Sequence, residues 1–172
     1  MEQKLQQYLD ANRVHYQCIS HFPTYTALAT AHSAHVAEQE LAKIVMVRVD
    51  GQIMMALIPA SHKLDLDKVK TYVDAEKVEL AEEYEFEELF PDCQPGAMPA
   101  IGNLYGIQVL AADALLDDEE IAFNAGTHDE LVRMPFPEFV RLVKPLIGQI
   151  SSPRQDMDDD EEDDEVDHDD AM

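Results

Sequence analysis

The sequence predicts an α+β domain organised around one central hairpin. Two apolar, β-branched runs between Glu40 and Pro59 flank Asp50-Gly51, a pair that accepts the positive φ angles a tight hairpin turn demands. On either side, short strand-like segments alternate with amphipathic helical ones. The length of 172 residues and mass of 19.4 kDa suit one domain with a real core rather than two.

In chain order, residues 2–12 read as an amphipathic helix with Leu5, Tyr8 and Leu9 at helical spacing. Val14 to Ile19 alternates as a short strand, and Ser20 to Thr26 is a loop feeding a helix over 27–36 with Thr26 at its N-cap. The first strand of the hairpin opens on Lys43 and continues as Ile44-Val45-Met46-Val47. Such a continuous apolar run belongs to a strand buried on both faces, so a lysine at its mouth either snorkels to water or is held at a site.

Beyond the hairpin come a helix near 65–72, a short strand over 77–80 and a helix over 82–90, whose many glutamates read as a solvated face. Pro95 to Gly102 holds two prolines and two glycines in eight residues, a loop of fixed shape with accessible backbone groups. By composition it is either a turn or a ligand cradle. A strand over 107–111 follows, then a hairpin of 120–124 with 131–134 around a turn that carries His128. A closing amphipathic helix begins at Pro137, and Ser151-Ser152-Pro153 is expected to break the structure. The expected division is a folded domain over 1–150 and a disordered acidic tail over 151–172.

Charge narrows the partners. Of 36 acidic and 12 basic residues, twelve acids and one base lie between Arg154 and Met172, leaving 24 acids against 11 bases before that point. An acidic domain argues against a broad grip on nucleic-acid backbone, which depends on Lys and Arg, so any such contact must be small and local. DNA is not an expected partner. No apolar run approaches the roughly 20 residues of a membrane span, and the N-terminus lacks a signal peptide's apolar core. A cytoplasmic protein with no membrane partner is the expectation. Cys18 and Cys93 are far apart and in no metal-ligand spacing. His21, His32 and His35 lack the Cys pair or His-Glu-x-x-His motif a zinc site would bring, so neither a metal nor another cofactor is expected.

Four stretches in this order carry a resemblance: Leu41-Ala42-Lys43-Ile44-Val45 with the Asp50-Gly51 turn, Leu57 to Leu66, Pro95-Gly96-Ala97-Met98-Pro99, and Phe123-Asn124-Ala125-Gly126-Thr127-His128. Together they resemble the YbaK/prolyl-tRNA synthetase-associated editing domains, trans-acting aminoacyl-tRNA deacylases, over roughly residues 20–147. The resemblance implies a mixed, mostly antiparallel, barrel-like sheet with surrounding helices. It implies an ester hydrolase with Lys43 and Gly96 as catalytic positions. Substrate contacts would come from Ala97, Met98, Pro99, Gly102, Asn124, Gly126, Thr127 and His128. Pro95 stands where many members carry another glycine, and Ala100-Ile101 where the members most like this chain have Pro-Phe; both departures bear on the amino-acid pocket.

The implied substrate is the 3′-terminal adenosine end of a mischarged tRNA carrying Ala, Ser, Cys or Thr, with tRNA-Pro among the acceptors. A synthetase or elongation factor would be an accessory partner. No Ser-His-Asp or Cys-His system is visible, so the ester and a water would be oriented without a covalent intermediate. The alternative is an inactive binding module of the same fold that acts through protein partners.

Overall fold

The computed structural model describes residues 1–154. The expected hairpin is its spine: β2 (Ala42–Val49) and β3 (Gln52–Pro59) pair antiparallel over their full lengths, with Lys43 opposite Ile58. Asp50 and Gly51 both take positive φ, 48° and 87°, as the turn requires. The Asp50 carboxylate also accepts the N–H groups of Glu76 and Lys77 at 3.0 and 2.8 Å, tying the turn to the next connection.

Around this pair runs a five-stranded sheet in the order β5-β2-β3-β6-β9, with β5 at Val78–Leu80, β6 at Gln108–Ala112 and β9 at Leu146–Gly148. Its β3-β6 and β6-β9 pairs are parallel and the others antiparallel. A second sheet, β1-β8-β7, is wholly antiparallel and uses Gln17–Ser20, Glu130–Pro135 and Glu120–Asn124. The expected hairpin of residues 120–134 is therefore present. The two sheets meet in backbone at one parallel bridge, Leu41 with Ala122, where the Ala122 N–H also donates to the Glu40 carbonyl at 3.0 Å.

The mixed, mostly antiparallel character holds, but among the described residues no sheet closes into a barrel. The five-stranded sheet ends on three-residue strands at both edges, and the step to the second sheet is a single bridge too short to propagate a ladder. A further difference lies at the end of the described chain. Ser151–Pro153 does not break the structure; it forms β10, paired antiparallel with β4 (His62–Leu64), held by the His62 Nδ1 to Ser151 Oγ contact of 2.7 Å. Lys68 Nζ adds hydrogen bonds to Ser152 Oγ and the Ser151 carbonyl. The acidic tail beyond Arg154 lies outside the described residues.

The period of two along β2 and β3 explains the double burial. Met46, Met55 and Leu57 join a core with Leu5 and Leu9 of α1 (Gln3–Ala11) and Phe139 of α5 (Phe136–Val143). Alternate residues Val45, Val47, Ala56 and Ile58 face a second core under Leu66 and Val69 of α3 (Leu66–Val73). A third, smaller cluster seats α2 (Ala27–Ala34) on Leu41, Ala60, Ala122 and Leu131.

The predicted helix over 82–90 is shorter: α4 covers Glu83–Phe86 and a 3-10 turn covers Glu87–Leu89. Its aromatic residues cannot share one face, so Phe90 is buried while Tyr84 stays exposed. Nor are its glutamates all solvated. Glu85 pairs with Arg48, which also donates to Glu79 on β5. This ionic clasp holds both carboxyls below the usual carboxylate range through their hydrogen bonds to the guanidinium.

Candidate active site

A cavity of about 480 Å³ opens where four separate segments converge: the loop from Thr24 into α2, the N-terminal half of β2, the stretch from Leu80 to Phe86, and the Pro95–Met98 loop facing Asn124 and His128. Strand β5 pairs only with Val47–Val49, so the wall of the site begins where that partner ends. Lys43 lies in this wall and is only 8% exposed. It does not snorkel away; the strand delivers it to the cavity.

The glycine-containing loop is a turn with a defined shape. The Ala97 N–H donates to the Gln94 carbonyl at 3.0 Å, and Gly96 takes φ +84° after Pro95. Proline then glycine at the two central positions is the signature of a type II turn. Gln94 and Gly126 fix it from behind: Gln94 N–H donates to the Gly126 carbonyl at 2.8 Å, and Gly126 N–H to the Ala97 carbonyl at 2.9 Å. Among the described residues neither the Gly96 nor the Met98 N–H is engaged by a protein acceptor.

His128 locks the turn from the front. Its ring Nε2 lies 2.6 Å from the Pro95 carbonyl, and since a carbonyl only accepts, Nε2 carries the proton and Nδ1 is left as the acceptor of the neutral ring. The backbone N–H of His128 donates to Gln94 Oε1 at 2.7 Å. Tyr25 lies against the imidazole with ring centroids 4.7 Å apart. The loop bearing Tyr25 is laced to the same turn, with His21 N–H on the Asp129 carbonyl and Thr24 N–H on the His128 carbonyl.

Of the residues expected at the site, Lys43, Gly96, Met98, Asn124 and His128 therefore meet around one cavity. Ala97, Pro99, Gly102, Gly126 and Thr127 do not line it. Ala97 and Pro99 are buried behind the turn. Gly102 is a packing glycine: a Cβ there would sit 2.5 Å from the Ile107 carbonyl oxygen and from Val109 Cγ2. At Gly126 a Cβ would come within 2.7 Å of Glu2 Cβ, and φ is +101°. Thr127 Oγ1 donates to Asp129 Oδ1 within its own turn.

Sequence reasoning missed Thr24, Tyr25, Thr30, Glu83 and Phe86, all in the cavity wall. No local spacing links them to Lys43; only the N-cap signal at Thr26, whose Oγ1 accepts the Ala29 N–H, marks that segment at all. Neither a serine nor a cysteine lines the cavity. Burial pushes the Cys18 and Cys93 thiols up, away from the reactive thiolate. Among the described residues no three His, Cys, Asp or Glu side chains are grouped to hold a metal ion, and no helix is long and apolar enough to cross a membrane.

Comparison with known proteins places this geometry in context. The multifunctional Ser/Thr-tRNA deacylase ProXp-y of Escherichia coli (strain K12) is 31% identical over 110 residues, 60% of this chain and 65% of that protein. A proline–tRNA ligase of Macrococcus caseolyticus is 31% identical over 90 residues, 52% of this chain but 16% of the ligase. The chain thus matches less than two thirds of the length of either relative. The crystal structure of a candidate trans-editing enzyme for prolyl tRNA synthetase shares the fold, with TM-score 0.74 at 19% identity, covering 88% of this chain and 96% of the other. A hypothetical protein of known structure superposes with TM-score 0.77 at 22% identity over 87% of this chain and 100% of its own. The sequence pattern of the aminoacyl-tRNA editing domain matches residues 21–142, which takes in β2, the Pro95–Met98 turn and His128, and the chain belongs to that family.

Proposed function

We propose that the chain is a trans-editing hydrolase that frees a small amino acid, Ala, Ser, Cys or Thr, from the 3′-terminal adenosine of a mischarged tRNA, with tRNA-Pro among its acceptors. One observation carries the reading: Lys43, the Gly96–Met98 backbone and His128 converge on one cavity of about 480 Å³ with no serine or cysteine nucleophile in its wall. That volume lies within the range of about 300–1,000 Å³ typical of ligand pockets. It suits an aminoacylated nucleoside end, while the acidic domain suits a protein that touches little else of the tRNA.

In this mechanism a water adds to the ester carbonyl, the bond to the ribose oxygen breaks, and the neighbouring ribose hydroxyl relays a proton to that leaving oxygen. The products are the free amino acid and the deacylated tRNA. The Gly96 and Met98 N–H groups are the donors for the developing oxyanion. His128 holds the Pro95 carbonyl, and because a trans peptide points its C=O and N–H in opposite directions, it also sets the direction of the Gly96 N–H. The Lys43 ammonium, a compact point charge, holds the phosphate or ester end. No covalent acyl-enzyme forms. A synthetase or elongation factor supplies tRNA selectivity that the domain's own surface does not.

The test is a panel of tRNAs mischarged with each small amino acid, scored for release. Release from at least one, falling on the order of 100-fold in Lys43→Ala, is the expected result. Full activity in that variant would remove Lys43 from the mechanism. No release from any tRNA would overturn the assignment as a hydrolase.

A further inference from the structure

Three threonines, Thr24, Thr26 and Thr30, contribute to the cavity wall on the loop into α2 and its first turn. Their hydrogen bonds have one consistent direction. The Thr30 hydroxyl donates to the Thr26 carbonyl at 2.8 Å. A hydroxyl has a single proton, so Thr30, 5% exposed, can only accept at its 2.6 Å contact with Thr24 Oγ1. Thr24 is the donor there. Its oxygen is then left with acceptor lone pairs alone, on a half-buried side chain at the cavity surface.

We propose that Thr24 is a specificity-determining residue: its oxygen accepts a hydrogen bond from the side-chain hydroxyl of a seryl or threonyl substrate, so the cavity prefers small hydroxylated amino acids to alanine. The inference rests on the deacylase reading above and names the substrate class of that same site. What makes the group selective is its fixed polarity. A freely rotating hydroxyl would accommodate donors and acceptors alike, whereas one whose proton is held by Thr30 reads donors only. Ala27, Leu41 and Ala42 beside it are apolar side chains that cannot take over the role. A seryl or threonyl hydroxyl pairs with the acceptor; an alanyl methyl leaves it facing nothing that can donate. A cysteinyl thiol, a weak donor, falls between the two. For one neutral hydrogen bond at a half-open site the expected discrimination is about tenfold.

The test compares kcat/KM for seryl, threonyl and alanyl esters of one tRNA in the wild type, Thr24→Val and Thr24→Ser. Thr24→Val removes the hydroxyl at nearly constant volume, and Thr24→Ser keeps it. The expected result is about a tenfold loss on the seryl and threonyl esters in Thr24→Val, alanyl hydrolysis within twofold of wild type, and seryl hydrolysis retained in Thr24→Ser. Equal losses on all three esters would overturn the proposal, because they would mean that Thr24 contacts a group common to every substrate, such as the α-ammonium, or only packs. No loss would overturn it as well. Binding of the amide-linked analogues seryl- and alanyl-3′-amino-3′-deoxyadenosine separates this from the reaction itself. A seryl preference that disappears in Thr24→Val sustains the role of Thr24 even in a protein that hydrolyses nothing, an outcome that would fail the deacylase reading alone. Equal affinity of the wild type for both analogues would overturn the role of Thr24 whatever the turnover.

Discussion

His128 ties two parts of the cavity wall to the turn behind them: its ring takes the Pro95 carbonyl at 2.6 Å, its backbone N–H takes Gln94 Oε1, and Tyr25 rests on its face. This makes it a positioning residue whose loss acts through the Gly96 turn. In His128→Ala the Pro95–Gly96 peptide loses its brace, and deacylation is expected to fall by up to roughly 100-fold, the scale of a donor misplaced by about 1 Å. His128→Gln, which can still donate to the carbonyl, should recover part of the rate; no recovery would mean that the imidazole is needed for itself. Lys43 and the Pro95–Met98 loop were legible in the sequence because each breaks a local pattern, one a charge in an apolar strand and the other a cluster of prolines and glycines. Tyr25 and the Thr24–Thr30 pair break none. They reach the site through backbone hydrogen bonds to a turn about a hundred residues away, and nothing in their spacing encodes that.

At the scale of elements, the central hairpin, α1, α2, α3, α5 and the hairpin of residues 120–134 follow from periodicity, capping and the Asp-Gly turn; that β1 joins this second hairpin does not. Several elements resisted, among them the three-residue strands β4 and β9, too short to show a period. The glutamate-rich segment reads as a plain solvated helix until Arg48 of β2 is found clasping Glu79 and Glu85, a pairing between strands and loops far apart in the chain. Ser151–Pro153 reads as a breaker, yet β4 offers it a partner and His62 and Lys68 hold it there. Burial pushes the His62 pKa below its ordinary 6.5; nearby Lys68 reinforces the shift and Asp113 opposes it. The unfolded chain then binds the proton more readily, so stability contributed by neutral His62 is present above pH 6.5 and is lost as pH falls through that value, levelling off below the folded pKa. Thermal midpoints measured between pH 5 and 8 should show this acid-side decline, and His62→Gln should flatten it. An unchanged slope would mean that the decline has another source.

For the whole molecule, charge is the governing quantity. A domain with 24 acids against 11 bases before Arg154 cannot cover a long run of phosphates, so tRNA binding is expected to weaken only slightly with salt. The slope of log affinity against log salt should correspond to one or two phosphate contacts, close to −1 or −2. A slope several times steeper would reveal a basic groove despite the acidic composition. The mixed sheet with helices outside that the family resemblance implied is present; the barrel-like closure it also implied is not, because among the described residues the sheets share only the Leu41–Ala122 bridge and no run of residues announces where a ladder will stop.

That sparse seam has a mechanical consequence. The cavity draws one wall from β2 in the larger sheet and another from Asn124 and His128 at the end of the smaller one, so whatever fills it spans the seam. An occupant would act as a further rivet between two plates that share one backbone bridge and a common apolar core.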